Sequence, residues 1–434
     1  MRRQVSIAVA AVAAAAIAAP ATATGYDDGG TTPVARPGSP AALKRGLSAG
    51  QLRSELAKAM AGDGSAGGAW VYDTEAKSDP VLFADGAAHK RIPASNEKLF
   101  TTAAFLDELG PDGQLETRVY VRGGLSGPGD SVVGGDLVLV GDGDPAFGTG
   151  RFARGADQPA TRVSELARNV AQAGVRRVKG RILADDTIFD RERRAGPDLS
   201  PLSGLSFNNG YEDGDYAKSP ELVAAKGLKS ALRKRGVRVG GRVGHANLPD
   251  NVLDRKPLAE IASPTAAKLI EETNVPSNNF FAEMLLKRLG ASGAKQGTRH
   301  RGGQKVEAFA DSVGTRVKAA DGSGLSRKNS VSPKQVGKLL VAMAADNKLA
   351  PAFESSLPVA GREGTVADRM RGTAAEGNCA TKTGTLDGVS ALSGYCTAGG
   401  GHLIAFSTLM NSADVYAARD AQDRVAAAIA RYEP

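Results

Sequence analysis

The sequence predicts a mixed α/β (α+β) protein in which both ends of the chain build one core around a buried helix, with a β-rich module inserted between them. Three observations carry this expectation. A helix begins near Pro93-Ala94-Ser95-Asn96-Glu97-Lys98, and its Leu99, Phe100, Ala103, Phe105 and Leu106 leave little polar face. Hairpin-like runs occur on both sides of it, at residues 69–83 and 379–409. Between about 110 and 258 short strands and two similar helix-glycine-strand units take over.

At the amino end, Met1-Arg2-Arg3 and the mostly apolar run Val5 to Ala19 form a signal-peptide pattern, with Ala21-Thr22-Ala23 as a small-x-small cleavage site. An uncleaved anchor is the alternative reading, although the run is short and alanine-rich for a bilayer span. Residues 1–23 are therefore expected to direct export, to the periplasm or cell wall or beyond. Residues 24–46, rich in Gly, Pro, Ala and Thr, read as a flexible lead. Gly46-Leu47-Ser48-Ala49-Gly50 imitates a hydrolase nucleophile elbow but has no preceding strand. Ser48 and Gln51 instead make a capping box for a helix over Leu52 to Met60.

The first part of the core is expected over 47–109. Ala69 to Tyr72 and Pro80 to Phe83 form a hairpin, with Trp70, the only tryptophan, in the core. Within 110–258, read as an inserted α+β module of one or two subdomains, Thr117 to Val121 and Asp136 to Val140 are strands. The helix Arg162 to Ala173 stops at Gly174 and leads into a strand, Val175 to Ile182. The helix Pro220 to Arg235 stops at Gly236 and leads into Val237 to Val243. The core resumes over 259–434. It holds an apolar helix from Phe280, a helix capped by Ser332, strands over 380–386, 389–397 and 402–409, and a closing helix from Tyr416 to Tyr432.

Composition narrows the function. Lys and Arg number 55 against 47 Asp and Glu, a surplus of +8 scattered along the chain. Without a basic stripe interleaved with aromatics, nucleic acid is not an expected partner. An exported basic protein is drawn instead to an anionic wall. His89, His245, His300 and His402 lie far apart and share no ligand spacing with each other or with the cysteines, so no metal or other cofactor is expected.

Three segments carry chemistry. Ser95 and Lys98 share a helical face at the positive end of a helix dipole. A buried lysine loses proton affinity and can take a proton from a serine that has no histidine beside it. Ser277-Asn278-Asn279 precedes the helix at Phe280, and Lys382-Thr383-Gly384 lies in a strand. A second Ser-x-x-Lys, Ser292-Gly293-Ala294-Lys295, follows the middle motif and is out of order. Ser206-Phe207-Asn208 stands in a loop-rich stretch with no helix after it. The catalytic segments all lie outside residues 110–258 and are expected to assemble without that module.

In that order the three segments resemble those of the penicillin-binding proteins, with Asn278 where the motif usually has Asp. The inserted module, Asp321-Gly322-Ser323-Gly324-Leu325-Ser326-Arg327 and Ser277-Asn278-Asn279-Phe280-Phe281-Ala282-Glu283 are similar to the class C low-molecular-mass group, the D-alanyl-D-alanine carboxypeptidase/endopeptidase family. The resemblance implies a serine β-lactamase/penicillin-binding-protein-like transpeptidase core, an antiparallel sheet flanked by helices. It also implies cleavage of D-Ala-D-Ala in peptidoglycan stem peptides through an acyl-enzyme on Ser95, and acylation by β-lactam antibiotics.

In this reading Lys98 is the general base, Ser277 and Lys382 pass a proton to the leaving amine, and Asn279 orients the substrate amide. Thr383 with Lys382 holds the terminal carboxylate, Gly384 lets the substrate approach the strand, and the amides of Ser95 and Thr385 form the oxyanion hole. Asp144 either binds the free amine of a stem peptide or makes a plain Asp-Pro turn. Arg327 either grips a carboxylate or is structural. A β-lactamase and a non-catalytic wall-binding protein are the alternatives. The first is disfavoured because no Glu-x-x-x-Asn run lies between Asn279 and Lys382, the second because all three motifs are intact.

The cysteines make a geometric prediction of their own. If Asp387-Gly388 is a two-residue turn, Cys379 faces Cys396 across the hairpin, and a disulfide is expected on the strand face opposite Lys382.

Overall fold

The computed structural model describes residues 46–61, 66–196, 199–292, 296–411 and 414–434. The expected signal segment and nearly all of the lead lie outside these residues, as do three of the four residues of the second Ser-x-x-Lys. No described helix is long and apolar enough to cross a membrane.

In chain order the main elements are α1 (Ala49–Ala61), β1 (Ala66–Asp73), β2 (Val81–Asp85), α2 (Glu97–Leu109), β3 (Glu116–Arg122), β4 (Asp136–Val140), α3 (Val163–Gln172), β5 (Arg177–Val178), β6 (Ile182–Asp185), α4 (Pro220–Lys234), β7 (Arg238–Val239), β8 (Val243–His245) and β9 (Ala259–Ala262). They continue with α5 (Ala266–Asn274), α6 (Asn279–Ala291), α7 (Arg299–Ser312), α8 (Pro333–Ala345), β10 (Cys379–Leu386), β11 (Val389–Thr397), β12 (Leu403–Asn411) and α9 (Val415–Ile429).

The core sheet has the order β10-β11-β12-β1-β2, antiparallel throughout, and joins strands from both ends of the chain. Period-two alternation sorts its residues between two apolar layers. Ala391, Tyr395, Ala405 and Leu409 face a layer with Leu99, Phe100, Phe281 and Leu339 of α2, α6 and α8. Leu392, Cys396, Ile404 and Phe406 face the other layer, with Leu52, Leu56, Val425 and Ile429 of α1 and α9. The capping box forms as expected. Ser48 N–H donates to Gln51 Oε1 at 3.0 Å, and Gln51 N–H to Ser48 Oγ at 3.4 Å. Trp70 is buried, with its ring against Gly337 of α8.

The 387–388 turn sets the expected register. Leu386 faces Val389 and Cys379 faces Cys396, and the two cysteines are bonded. Closing a chain segment of 17 residues contributes about 3 kcal/mol by restricting the unfolded state. The sulfurs lie 3.8 and 3.9 Å from the Ala426 carbonyl of α9, so the bridge braces β10 from beneath that helix.

The inserted module contains a second sheet, β8-β6-β4-β3-β9, in which β4, β6 and β8 run parallel. It extends to Ala262, past the boundary expected at 258. The two helix-glycine-strand units are real, and α3 and α4 both end before glycines in the left-handed region, at φ +96 for Gly174 and +79 for Gly236. The strand after each helix is not continuous, however. It bends at a glycine and contributes one short strand to each of two sheets, β5 then β6, and β7 then β8.

Val132-Val133 and β4 form a third copy of this bend, without a preceding helix of the same kind. Gly180 N–H donates to the Gly135 carbonyl at 2.8 Å, and Gly241 N–H to the Gly180 carbonyl at 2.7 Å. A Cβ on Gly180 would sit 2.5 Å from the Gly135 oxygen, so the stacked corners require glycine.

This module shares packing with the core. Its Ala146, Phe189, Leu199 and Leu202 are buried in the same apolar layer as Phe281 and Leu285. Asp190 is paired with the buried Lys287 of α6 at 2.6 Å. Removal of the module would expose this part of the layer on which α6 rests, so the shared layer bears on the expectation that the catalytic segments assemble without it.

Candidate active site

Ser95 lies in a single 3-10 turn, Ala94–Asn96, that leads into α2. The preceding Ala94 has φ +47, a conformation that L residues rarely adopt and that the surroundings must hold. Two supports do so. Asn96 donates to the Lys382 carbonyl at 2.9 Å and accepts from Ser393 Oγ at 2.6 Å, tying the turn to β10 and β11. Gly324 lies against the turn from the other side. It has φ +86, and a Cβ there would fall 1.9 Å from the Ala94 carbonyl oxygen.

A Gly324→Ala variant is therefore expected to displace the serine and slow its acylation roughly 100-fold, the usual cost of an ångström-scale misplacement. The rate of labelling by a fluorescent penicillin, on protein with unchanged circular dichroism, measures this. An unaltered rate would show that the loop does not brace the serine.

Lys98 is fully buried and makes three contacts: Ser95 Oγ at 2.9 Å, Asn279 Oδ1 at 2.7 Å and the Ser323 carbonyl at 2.6 Å. Burial lowers its pKa to about 7, against the opposing pull of Asp321, Glu283 and Glu97. A neutral lysine amine has two N–H donors and one lone pair. With the carbonyls of Asn279 and Ser323 as acceptors, the lone pair is left for the Ser95 hydroxyl. The Ser323 carbonyl is itself fixed, because Glu283 Oε1 accepts from the amides of Gly322 at 3.0 Å and Ser323 at 2.8 Å.

The middle motif sits at the start of α6. Asn278 is the cap. Its Oδ1 accepts from Phe281 N–H at 3.2 Å, and its Nδ2 donates to Glu272 Oε1 at 3.3 Å. Asp could make the first bond but not the second, which accounts for Asn at this position. Ser277 takes φ +61 before the cap, and Asn279, first in the helix, points its carbonyl at Lys98.

β10 is the edge strand of the core sheet. The register makes 386, 384, 382 and 380 its hydrogen-bonded positions, so the amides of Thr383 and Thr385 face away from β11. Lys382 is fully buried, and burial with the charge of Lys98 holds its pKa well below the ordinary lysine range. A Cβ on Gly384 would meet the Pro93 oxygen at 2.7 Å and Ser95 N at 3.0 Å, so only glycine lets β10 pass this close to the serine.

A cavity of about 430 Å³ is lined by Ser95, Ser277, Thr365, Arg369, Thr383, Thr385 and Arg419. A larger one, about 820 Å³, includes Asn279, Asp321 and Leu325 but not Ser95. The smaller cavity is the one that presents the reactive hydroxyl.

The fold thus brings Ser95, Lys98, Ser277, Asn279, Lys382, Thr383, Gly384 and Thr385 together. Asp144 and Arg327 do not line the 430 Å³ cavity. Asp144 is buried and accepts from Ala146 N–H at 2.8 Å, the bond of an Asp-Pro turn, and burial raises its pKa to about 6. Arg327 donates to the Asp387 carbonyl and so ties the 321–327 loop to the hairpin turn. Sequence reasoning missed Asn96, Thr365, Arg369 and Arg419. Asn96 lies inside the first motif and could have been singled out there. The other three are isolated polar residues that only the fold carries to the serine.

The family model for the D-Ala-D-Ala carboxypeptidase 3 (S13) family matches residues 50–201 and 216–432. The chain is 32% identical to a D-alanyl-D-alanine carboxypeptidase of Actinomadura sp. (strain R39), over 85% of this chain and 82% of that protein. It is 28% identical to carboxypeptidase DacB of Mycolicibacterium smegmatis, over 78% of this chain and 75% of that protein. Penicillin-binding protein 4 of Haemophilus influenzae has a similar fold, with TM-score 0.69 at 20% identity, covering 85% of this chain and 98% of that one. With its motifs assembled on that fold, the chain belongs to the D-Ala-D-Ala carboxypeptidase 3 (S13) family and is a serine-type D-Ala-D-Ala carboxypeptidase.

Proposed function

We propose that the protein trims peptidoglycan stem peptides through an acyl-enzyme on Ser95, with Lys98 as the base. The observation that carries this reading is the Lys98 amine 2.9 Å from Ser95 Oγ, with its other two contacts on carbonyl oxygens. Ser95 Oγ attacks the penultimate D-Ala carbonyl carbon as its proton passes to Lys98 Nζ. The amides of Ser95 and Thr385 receive the oxyanion, each such donor being worth roughly 3 kcal/mol. The peptide C–N bond then breaks. The leaving amine takes the proton from Lys98 by way of Ser277, with Lys382 keeping Lys98 poised to give it up. Water repeats the sequence on the ester, releasing the shortened peptide and restoring Ser95.

β-Lactams acylate the same serine in this reading. A similar Haemophilus influenzae structure, TM-score 0.67, is complexed with a novel β-lactam. Among the described residues no Asp or Glu lines the cavity to activate a water on a trapped ester, which favours a peptidase over a β-lactamase. Export follows from the amino-terminal signal pattern, and the wall is then the site of action. Asp144 as an amine-binding group and Arg327 as a carboxylate-binding group remain subsidiary proposals, and neither residue lines the cavity at Ser95 or the larger one.

Incubation with purified muropeptides is expected to convert pentapeptide stems to tetrapeptides with release of D-Ala, and to hydrolyse penicillin slowly. Rapid penicillin turnover without D-Ala release would overturn the reading in favour of a β-lactamase. Loss of cross-linked dimers would add endopeptidase action.

A further inference from the structure

We infer that Arg419 is a specificity-determining residue, the counter-ion for the α-carboxylate of the leaving D-amino acid. The inference rests on the peptidase reading above and adds a residue that none of the three motifs contains. Arg419 is on the second turn of α9, far in sequence from the catalytic segments, yet it lines the 430 Å³ cavity with Ser95, Ser277, Thr383 and Thr385. Its Nη2 donates to Thr385 Oγ1 at 3.2 Å. The Thr385 amide faces away from β11, so the guanidinium stands at the open edge of β10, where the substrate is proposed to lie.

Charge separates Arg419 from the other arginine in the cavity. Arg369 is neutralised by Asp423 at 2.7 Å. Among the described residues no carboxylate lies within 4.0 Å of the Arg419 guanidinium. Among the described residues, the charged ones lining the cavity are these two arginines, and one of them already has its partner. An anion entering the cavity meets one uncompensated guanidinium with donors to spare, the group suited to a planar carboxylate.

The position is held for it. Arg369 donates to the Arg419 carbonyl at 3.3 Å and to Gln422 Oε1 at 3.3 Å, fixing this turn of α9. Gln422 in turn accepts from Ser390 Oγ of β11 at 3.1 Å. The guanidinium carbon lies 6.0 Å from the centroid of the Tyr416 ring, at the outer limit of a cation–π contact. The Cys379–Cys396 bridge supports α9 from below. Arg369 therefore positions the helix, and Arg419 is free to bind.

The test compares two peptides, a Lys-D-Ala-D-Ala with a free carboxylate and the same peptide ending in a carboxamide. Wild-type protein should favour the free acid, and Arg419→Gln should lose about tenfold or more of that preference, the worth of one charge-assisted hydrogen bond. The loss should appear chiefly in KM for the acid. Arg419→Lys should restore part of it, and acylation of Ser95 by a neutral activated ester should be unchanged in all variants. An acid-to-amide ratio that is the same in wild type and Arg419→Gln overturns the inference while leaving the peptidase reading intact. If wild type cleaves neither peptide, the peptidase reading itself fails. Loss of neutral-ester acylation in Arg419→Gln would assign the arginine a structural role and would also overturn the inference.

Discussion

A Ser95→Ala variant is expected to form no covalent adduct with a fluorescent penicillin and to release no D-Ala, with its fold unchanged. Among the described residues, the hydroxyl is the one oxygen hydrogen-bonded to the buried Lys98 amine whose residue also lines the 430 Å³ cavity. Alanine keeps the backbone of the 3-10 turn, and the Asn96 bonds that hold the turn do not involve the Ser95 side chain. The control is Ser292→Ala. Ser292 is bonded to Glu108 on the surface and should label like the wild type. Gel fluorescence and intact mass after penicillin treatment read both variants. An adduct of unchanged yield on Ser95→Ala, or its loss in Ser292→Ala, would place the nucleophile elsewhere.

Acylation should also rise with pH and level off near neutrality, and Lys98→Met should lose it by roughly 10² to 10⁴, the range of a positioned general base. The Lys98 pKa is about 7, lowered by burial from an ordinary value of 10.5. Below about 7 the amine is protonated and cannot accept from Ser95, so the rate should fall about tenfold per pH unit there. Above it the base is free and the rate should be flat.

The sign for stability is consistent with this. Between the folded value and 10.5 the unfolded chain holds one more proton, so this group makes the fold more stable as pH rises through that window. Below about 7 both states are protonated and the full burial cost of the charge is present. Glu283, whose pKa burial also raises to about 7, faces the same cluster with Glu97, Asp321 and Lys382. A Glu283→Gln variant separates the two origins. If it abolishes the rise while leaving the plateau, the titrating group is the glutamate and not Lys98. Stopped-flow acylation from pH 5 to pH 9 supplies the profile.

The sequence by itself determined the elements whose cause is local. Apolar periodicity placed α2, β4 and β11, the capping box placed α1, and two glycines ended α3 and α4. The 387–388 turn is the clearest case. A two-residue hairpin leaves no freedom of register, so it alone put Cys379 opposite Cys396. The order and spacing of the motifs supplied Ser95, Lys98, Ser277, Asn279 and Lys382, because their local contexts (helix start, cap and strand) are written next to them.

Tertiary structure decided what depends on residues far apart. It bent the expected strands at Gly180 and Gly241, because stacking three parallel corners is a matter of backbone proximity and not of side-chain pattern. It tied the inserted module to the catalytic core through Phe189 and Leu202, whose apolar character says only that they are buried, not against what. It set the pKa of Lys98, since desolvation depends on the whole shell around the amine. And it carried Arg419 from the closing helix to Thr385, a contact spanning 34 residues that no periodicity or spacing announces.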